Sequence, residues 1–161
     1  MTTRPIVAPL MALLFVATSL LVATIGLPPR SAAHEGHAEF SAGEPGNPKK
    51  PARTIKVTMK EMMFDPSLIE VRKGEQIRFV LENDGTEDHE FMLATPAENR
   101  KHGELMKKYP DMEHDDPNGK RVAPHKRAEI LWKFTKPGEF EYACLIPTHY
   151  DFGMYGKVIV K

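Results

Sequence analysis

The chain has 161 residues, with 22 basic and 22 acidic side chains, one cysteine and a hydrophobic fraction of 41%. This length gives room for one domain plus extras, and the even charge balance supplies no basic footprint for nucleic acid. A single cysteine excludes an internal disulfide.

Residues 1–33 contain Arg4, a mostly apolar run from Ile6 to Leu27, Pro28-Pro29-Arg30 and then Ser31-Ala32-Ala33. This order reads as a signal peptide cleaved after Ala33, and places the mature chain in the periplasm. The alternative is a retained anchor, because the run approaches the ~20 residues needed to span a bilayer. Cleavage removes Arg4 and Arg30 and no acidic residue, leaving a small acidic excess. An unpaired thiol in an oxidising compartment needs protection, which metal ligation would supply.

Residues 34–52 are expected to be flexible. The new N-terminus would be His34-Glu35-Gly36-His37, whose amine and imidazoles form a possible Cu(II) chelate; the alternative is a polar, disordered start. From Ser41 to Pro51 the chain is rich in Gly, Pro, Asn and Lys, which reads as a linker. The folded domain is therefore expected over 53–161.

Within it, Ile55, Val57 and Met59 alternate with Lys56 and Thr58 in a first strand. A turn at Asp65-Pro66-Ser67 leads to a second strand over 68–71, and Lys73-Gly74-Glu75 to a third bearing Ile77, Phe79 and Leu81. After Asn83-Asp84-Gly85 comes a strand in which His89, Phe91 and Leu93 face one way and Glu90 and Met92 the other. Thr95-Pro96-Ala97-Glu98 is a helix start with a capping box, and His102, Leu105, Met106 and Tyr109 would share the packed face. Residues 111–120 read as a solvated acidic loop. Ile130, Trp132 and Phe134 mark a strand, and Lys136-Pro137-Gly138 turns it into another, where Phe140, Tyr142 and Cys144 share the apolar face. Short strands punctuated by Gly and Pro turns indicate an all-β sandwich or barrel.

Cys144, His149 and Met154 follow one another as C-x4-H-x4-M. A thiolate, an imidazole and a thioether on one tight loop form the ligand set of a type 1 copper site lacking only a second histidine, for which His89 is the best candidate. Cu(I) favours soft sulfur and Cu(II) favours nitrogen, so an ion held between these preferences changes oxidation state with little rearrangement. Met62, Met63, Met112 and His114 are candidates for a secondary copper site, together with His34 and His37.

Over roughly 54–161 the chain resembles the cupredoxins, the family of plastocyanin-like and rusticyanin-like proteins. The resemblance lies in Gly-x-Phe-x-Tyr-x-Cys at 138–144, Pro147 before His149, Gly153-Met154-Tyr155-Gly156 and the closing strand 157–161. It implies a Greek-key β-sandwich with one helical insertion, with His89, Cys144 and His149 as equatorial copper ligands and Met154 as the axial one. Thr148 stands where many cupredoxins have glycine. A β-branched residue resists positive φ, so the loop is expected to leave the family's commonest path.

The resemblance also narrows the function. Ala143 and Leu145 flank the cysteine where cupredoxin-type enzymes that feed a second centre carry histidine, and one cysteine cannot build a binuclear site. Four protein ligands leave no open position for a substrate, so an enzyme is not expected. Two readings remain. The first is a periplasmic protein binding one type 1 copper, with a second copper possible, in copper handling and tolerance; small exported copper-tolerance cupredoxins share the His-bearing start and Ala-Cys-Leu-Ile-Pro-Thr-His at 143–149. The second is a one-electron carrier docking a redox partner through Ile146, Pro147, Phe152 and Tyr155. Neither involves nucleic acid, or a membrane once the signal is removed.

Overall fold

The computed structural model describes residues 39–110 and 116–161. The expected signal peptide over 1–33, His34, His37, Met112 and His114 lie outside them. Among the described residues, ten strands form two five-stranded sheets. The first sheet runs β1 (Glu44–Pro45), β8 (Arg127–Lys133), β5 (Gln76–Asn83), β2 (Arg53–Lys60), β3 (Met63–Asp65); the second runs β4 (Leu68–Val71), β10 (Tyr155–Val160), β9 (Gly138–Ala143), β6 (His89–Ala94), β7 (Gly119–Val122). β2 with β5 and β4 with β10 are parallel, and the remaining pairs are antiparallel. The result is the Greek-key β-sandwich, with one helix among the described residues, α1 (Pro96–Lys108).

The inward phases come out as the alternation requires. Val57, Met59, Ile77, Phe79, Leu81, Ile130 and Trp132 of the first sheet pack against Phe91, Leu93, Phe140, Tyr142 and Val158 of the second. Each fully buried large side chain contributes ~1.5–3 kcal/mol. Phe91 and Tyr142 stack with centroids 5.2 Å apart, and Phe64 meets the Tyr142 ring edge-on at 5.2 Å. Gly156 is paired with Tyr142 across β9 and β10, and a Cβ there would stand 2.2 Å from Tyr142 Cζ, so only glycine lets the ring lie where its hydroxyl reaches the Pro66 carbonyl.

Four expectations are corrected. The segment over 41–51 is folded onto the body rather than free. Ala42 is fully buried, its carbonyl accepts from Trp132 Nε1 at 3.2 Å, β1 pairs with β8, and the Gln76 amide donates to the carbonyls of Asn47 and Lys50 at 3.0 and 3.1 Å. Backbone partners on an open sheet edge order a stretch whose own side chains could not.

The helix starts as read, with the Thr95–Glu98 capping box, but its packed face is different. Asn99 and Met106 are buried, whereas Leu105 and Tyr109 are 40% and 59% exposed. The reason is where α1 lies: it covers the outer face of the second sheet, where Met92, Met106, Ala143 and Leu145 form a second small core. Consequently Glu90 and Glu141, which alternation places on a solvent face, are 1% and 6% exposed.

The acidic loop also ends sooner than composition indicates. β7 (Gly119–Val122) pairs with β6, and the buried Asn118 donates to the Leu93 carbonyl at 2.9 Å. β3 forms a tight hairpin with β2 through Glu61 and Met62. The fourth correction concerns Thr148 and belongs with the loop that carries it.

Candidate metal centre

β6 begins at His89, and β9 ends one residue before Cys144. From there the chain turns through His149 and returns at Met154 into β10. Hydrogen bonds close this loop at several points: Cys144 N–H to the Met154 carbonyl at 3.0 Å, Met154 N–H to His149 at 3.0 Å, His149 N–H to Ile146 at 3.1 Å and Phe152 N–H to Thr148 at 3.0 Å. Within this frame Thr148 adopts φ 80°, the region expected to be avoided. The expected departure from a glycine-like path does not occur. A left-handed residue with a Cβ costs ~1–2 kcal/mol, and the surrounding bonds over-determine the turn.

The loop brings its donors to the strand. Ligand atoms of His89, Cys144 and His149 all lie within 4.8 Å of one another, and all three residues are buried. Cys144 Sγ is 3.3 Å from His149 Nδ1 and accepts the Glu90 N–H at 3.3 Å. The two imidazole centroids are 5.3 Å apart. Met154 is fully buried in the same core cluster as Cys144.

Electrostatics separates these groups from ordinary core residues. Burial pushes the Cys144 thiol up to about 12, against the opposing pull of the N–H groups of Glu90 and Ile146. In the metal-free protein it is a neutral thiol, and a cation must displace its proton. Burial, and then the neighbouring His149, lower the pKa of His89. Among the described residues, both ring nitrogens of His89 are buried without a hydrogen-bond partner, as is Asn99 Oδ1. Each such atom costs ~1–3 kcal/mol unless something satisfies it. Two nitrogens and a sulfur converging on one point, one imidazole otherwise unsatisfied, fit a thiophilic metal such as copper.

Several contributors were missed by sequence reasoning. Glu90 Oε2 accepts the Leu145 N–H at 3.2 Å, and Glu141 Oε1 accepts from Asn99 Nδ2 and the Tyr150 hydroxyl, each at 3.1 Å. Two buried carboxylates therefore brace the loop from beneath. Glu87 Oε2 stands 3.3 Å from His149 Nε2. Glu61 accepts the Thr86 N–H and hydroxyl, and chiefly that N–H holds it down to about 2. A Cβ on the buried Gly85 would be 2.7 Å from Glu61 Oε1 and 2.9 Å from His89 Nε2, which places that carboxylate beside the other imidazole. The available signal was a carboxylate inside an apolar strand at Glu90 and at Glu141. Of the secondary candidates, Met62 sits in the β2–β3 turn at φ 58° and Met63 is half exposed in β3.

The family model for a cupredoxin-like domain matches residues 18–160. The chain belongs to the cupredoxin-like family. It is 48% identical over 130 residues to the copper-resistant cuproprotein CopI of Rubrivivax gelatinosus, covering 80% of this chain and 79% of that protein. With CopI of Pseudomonas aeruginosa it shares 33% identity over 172 residues, covering 89% and 94%. Among solved structures, auracyanin from Roseiflexus castenholzii superposes with a TM-score of 0.60 at 22% identity, over 70% of this chain and 99% of that one. At that identity the likeness concerns the cupredoxin fold.

Proposed function

We propose that this cupredoxin is an exported copper-binding protein of copper resistance, in which His89, Cys144, His149 and Met154 hold one ion that cycles between Cu(I) and Cu(II). The observation carrying this reading is the convergence of three buried donors within 4.8 Å. The names of the CopI relatives and the signal-like residues 1–33 support the role and the periplasmic location. No helix of the described residues is long and apolar enough to cross a membrane.

Bound copper would supply one-electron redox chemistry. The chain's part is to present two imidazoles, a thiolate and a thioether, and to keep water away: His89, Cys144 and Met154 are fully buried and His149 is 5% exposed. Four protein donors leave no position for a substrate, so binding and electron exchange are expected rather than turnover.

Exposed apolar surface beside His149 favours a second reading, a dedicated one-electron carrier. Phe152 is 70% exposed and Tyr155 43%, with Ile146 and Pro147 half-buried next to them.

Copper titration with metal analysis, visible spectroscopy and paramagnetic resonance tests both. A type 1 signature with a second, type 2 copper supports copper handling; deleting residues 34–37 is then expected to remove the second copper and leave the visible band untouched. One type 1 copper alone moves the weight to the carrier. Absence of a thiolate-to-copper band removes both.

Met154→Leu is expected to retain copper and raise the reduction potential, because Met154 would offer the metal a thioether and leucine offers none. An unchanged spectrum and potential would take Met154 out of the ligand set.

A further inference from the structure

An exposed carboxylate stands beside the proposed ligands without belonging to them. Glu87 Oε2 is 3.3 Å from His149 Nε2, while the ring's other nitrogen, Nδ1, is 3.3 Å from Cys144 Sγ. The two nitrogens of one imidazole thus face partners of opposite character. A carboxylate can only accept a hydrogen bond, and a neutral imidazole carries a single N–H. A hydrogen on Nε2 would face the carboxylate and leave the Nδ1 lone pair turned towards the sulfur.

Glu87 is held in this place by the fold. Its carbonyl accepts from Asn83 Nδ2 at 2.8 Å. Asn83 is 1% exposed and also donates to the Val122 carbonyl at 2.8 Å and accepts the Gly85 N–H at 2.9 Å. On the other side, Asp88 pairs with Arg121 at 3.0 Å. The connection between β5 and β6 is therefore anchored on both sides of Glu87. The contact also sets the two imidazoles apart, because among the described residues neither ring nitrogen of His89 has a hydrogen-bond partner.

We propose that Glu87 is a positioning residue for the copper site: its carboxylate holds His149 in the Nε2–H tautomer, presents Nδ1 to the metal and strengthens the ring as a donor to Cu(II) more than to Cu(I). This rests on the reading of His149 as a ligand. The Glu87 side chain is 58% accessible, so the pair adds little to folding stability. Its effect lies in the electronics of the imidazole, as with the outer partners that orient metal-bound histidines elsewhere.

The test compares wild type, Glu87→Gln and Glu87→Ala. Long-range nitrogen–proton correlation spectra of the metal-free proteins report the His149 tautomer. Wild type and the glutamine variant, whose amide oxygen still accepts, are expected to carry the hydrogen on Nε2; the alanine variant is expected to show both tautomers. In the loaded proteins, Glu87→Ala is expected to lose ~10–100-fold in Cu(II) affinity, with a smaller loss for Cu(I) and hence a higher potential, and Glu87→Gln to fall between. A normal thiolate-to-copper band with an unmoved tautomer, Cu(II) affinity and potential in Glu87→Ala overturns the role of Glu87 alone. If wild type shows no such band, the ligand reading has failed and the proposal falls with it.

Discussion

Cys144→Ala is expected to abolish the intense thiolate-to-copper absorption and to weaken copper binding beyond the ~10–100-fold typical of losing a residue that only supports a ligand. Of the three converging donors, the thiol alone provides sulfur, and no second cysteine exists in the chain to replace it. The fold should survive. Removing one buried sulfur leaves a small cavity, a cost at the lower end of the ~0.5–3 kcal/mol usual for point substitutions. Visible spectra and metal analysis of a variant with wild-type circular dichroism check this, and a persisting band would remove Cys144 from the site.

The second large effect runs against the usual direction for a core substitution. His89→Leu is expected to make the metal-free protein more stable, by ~1–3 kcal/mol, while eliminating the stabilisation copper provides. In the wild type both ring nitrogens of His89 are buried without partners among the described residues, and leucine removes those polar atoms while keeping much of the volume. The same substitution changes the response to acid. Burial and the His149 neighbour depress the pKa of His89 from its ordinary 6.5, so the unfolded chain takes up the proton more readily than the folded one. The His89 contribution is therefore intact above that ordinary value and is lost as pH falls through the lowered folded one. Glu61, Glu87 and Asp88 favour the proton and moderate the loss. Urea unfolding of the metal-free proteins on either side of pH ~6.5 measures both effects. A leucine variant less stable than wild type without metal would mean that the histidine is satisfied in solution.

The inward faces of the strands were legible because they depend on a period of two, which survives any tertiary arrangement. The convergence of His89, Cys144 and His149 was legible because cysteine and histidine fall at short spacing on one return, in phase with a strand that starts on His89. What could not be read depends on contacts distant in sequence. Glu90 and Glu141 looked solvent-facing until α1 covered them. The proline-rich stretch before Arg53 is ordered by the β8 edge, Trp132 and Gln76, none of which is local to it. Thr148 defies its own backbone preference because hydrogen bonds within the return fix it, and propensity carries no information about those bonds.

The strands β6 and β9 are covered on one face by the opposite sheet and on the other by α1, and the edge of His149 is the part of the proposed donor set that touches solvent. If copper is held as proposed, electrons and ions meet different obstacles there. An electron can pass through the imidazole with every atom in place. An ion can leave only when the bonds tying Cys144, His149 and Met154 together open in concert. Oxidation state and occupancy would then run on separate clocks, the first set by encounters at the surface and the second by breathing of the loop, so the protein could change redox state many times during a single residence of its metal.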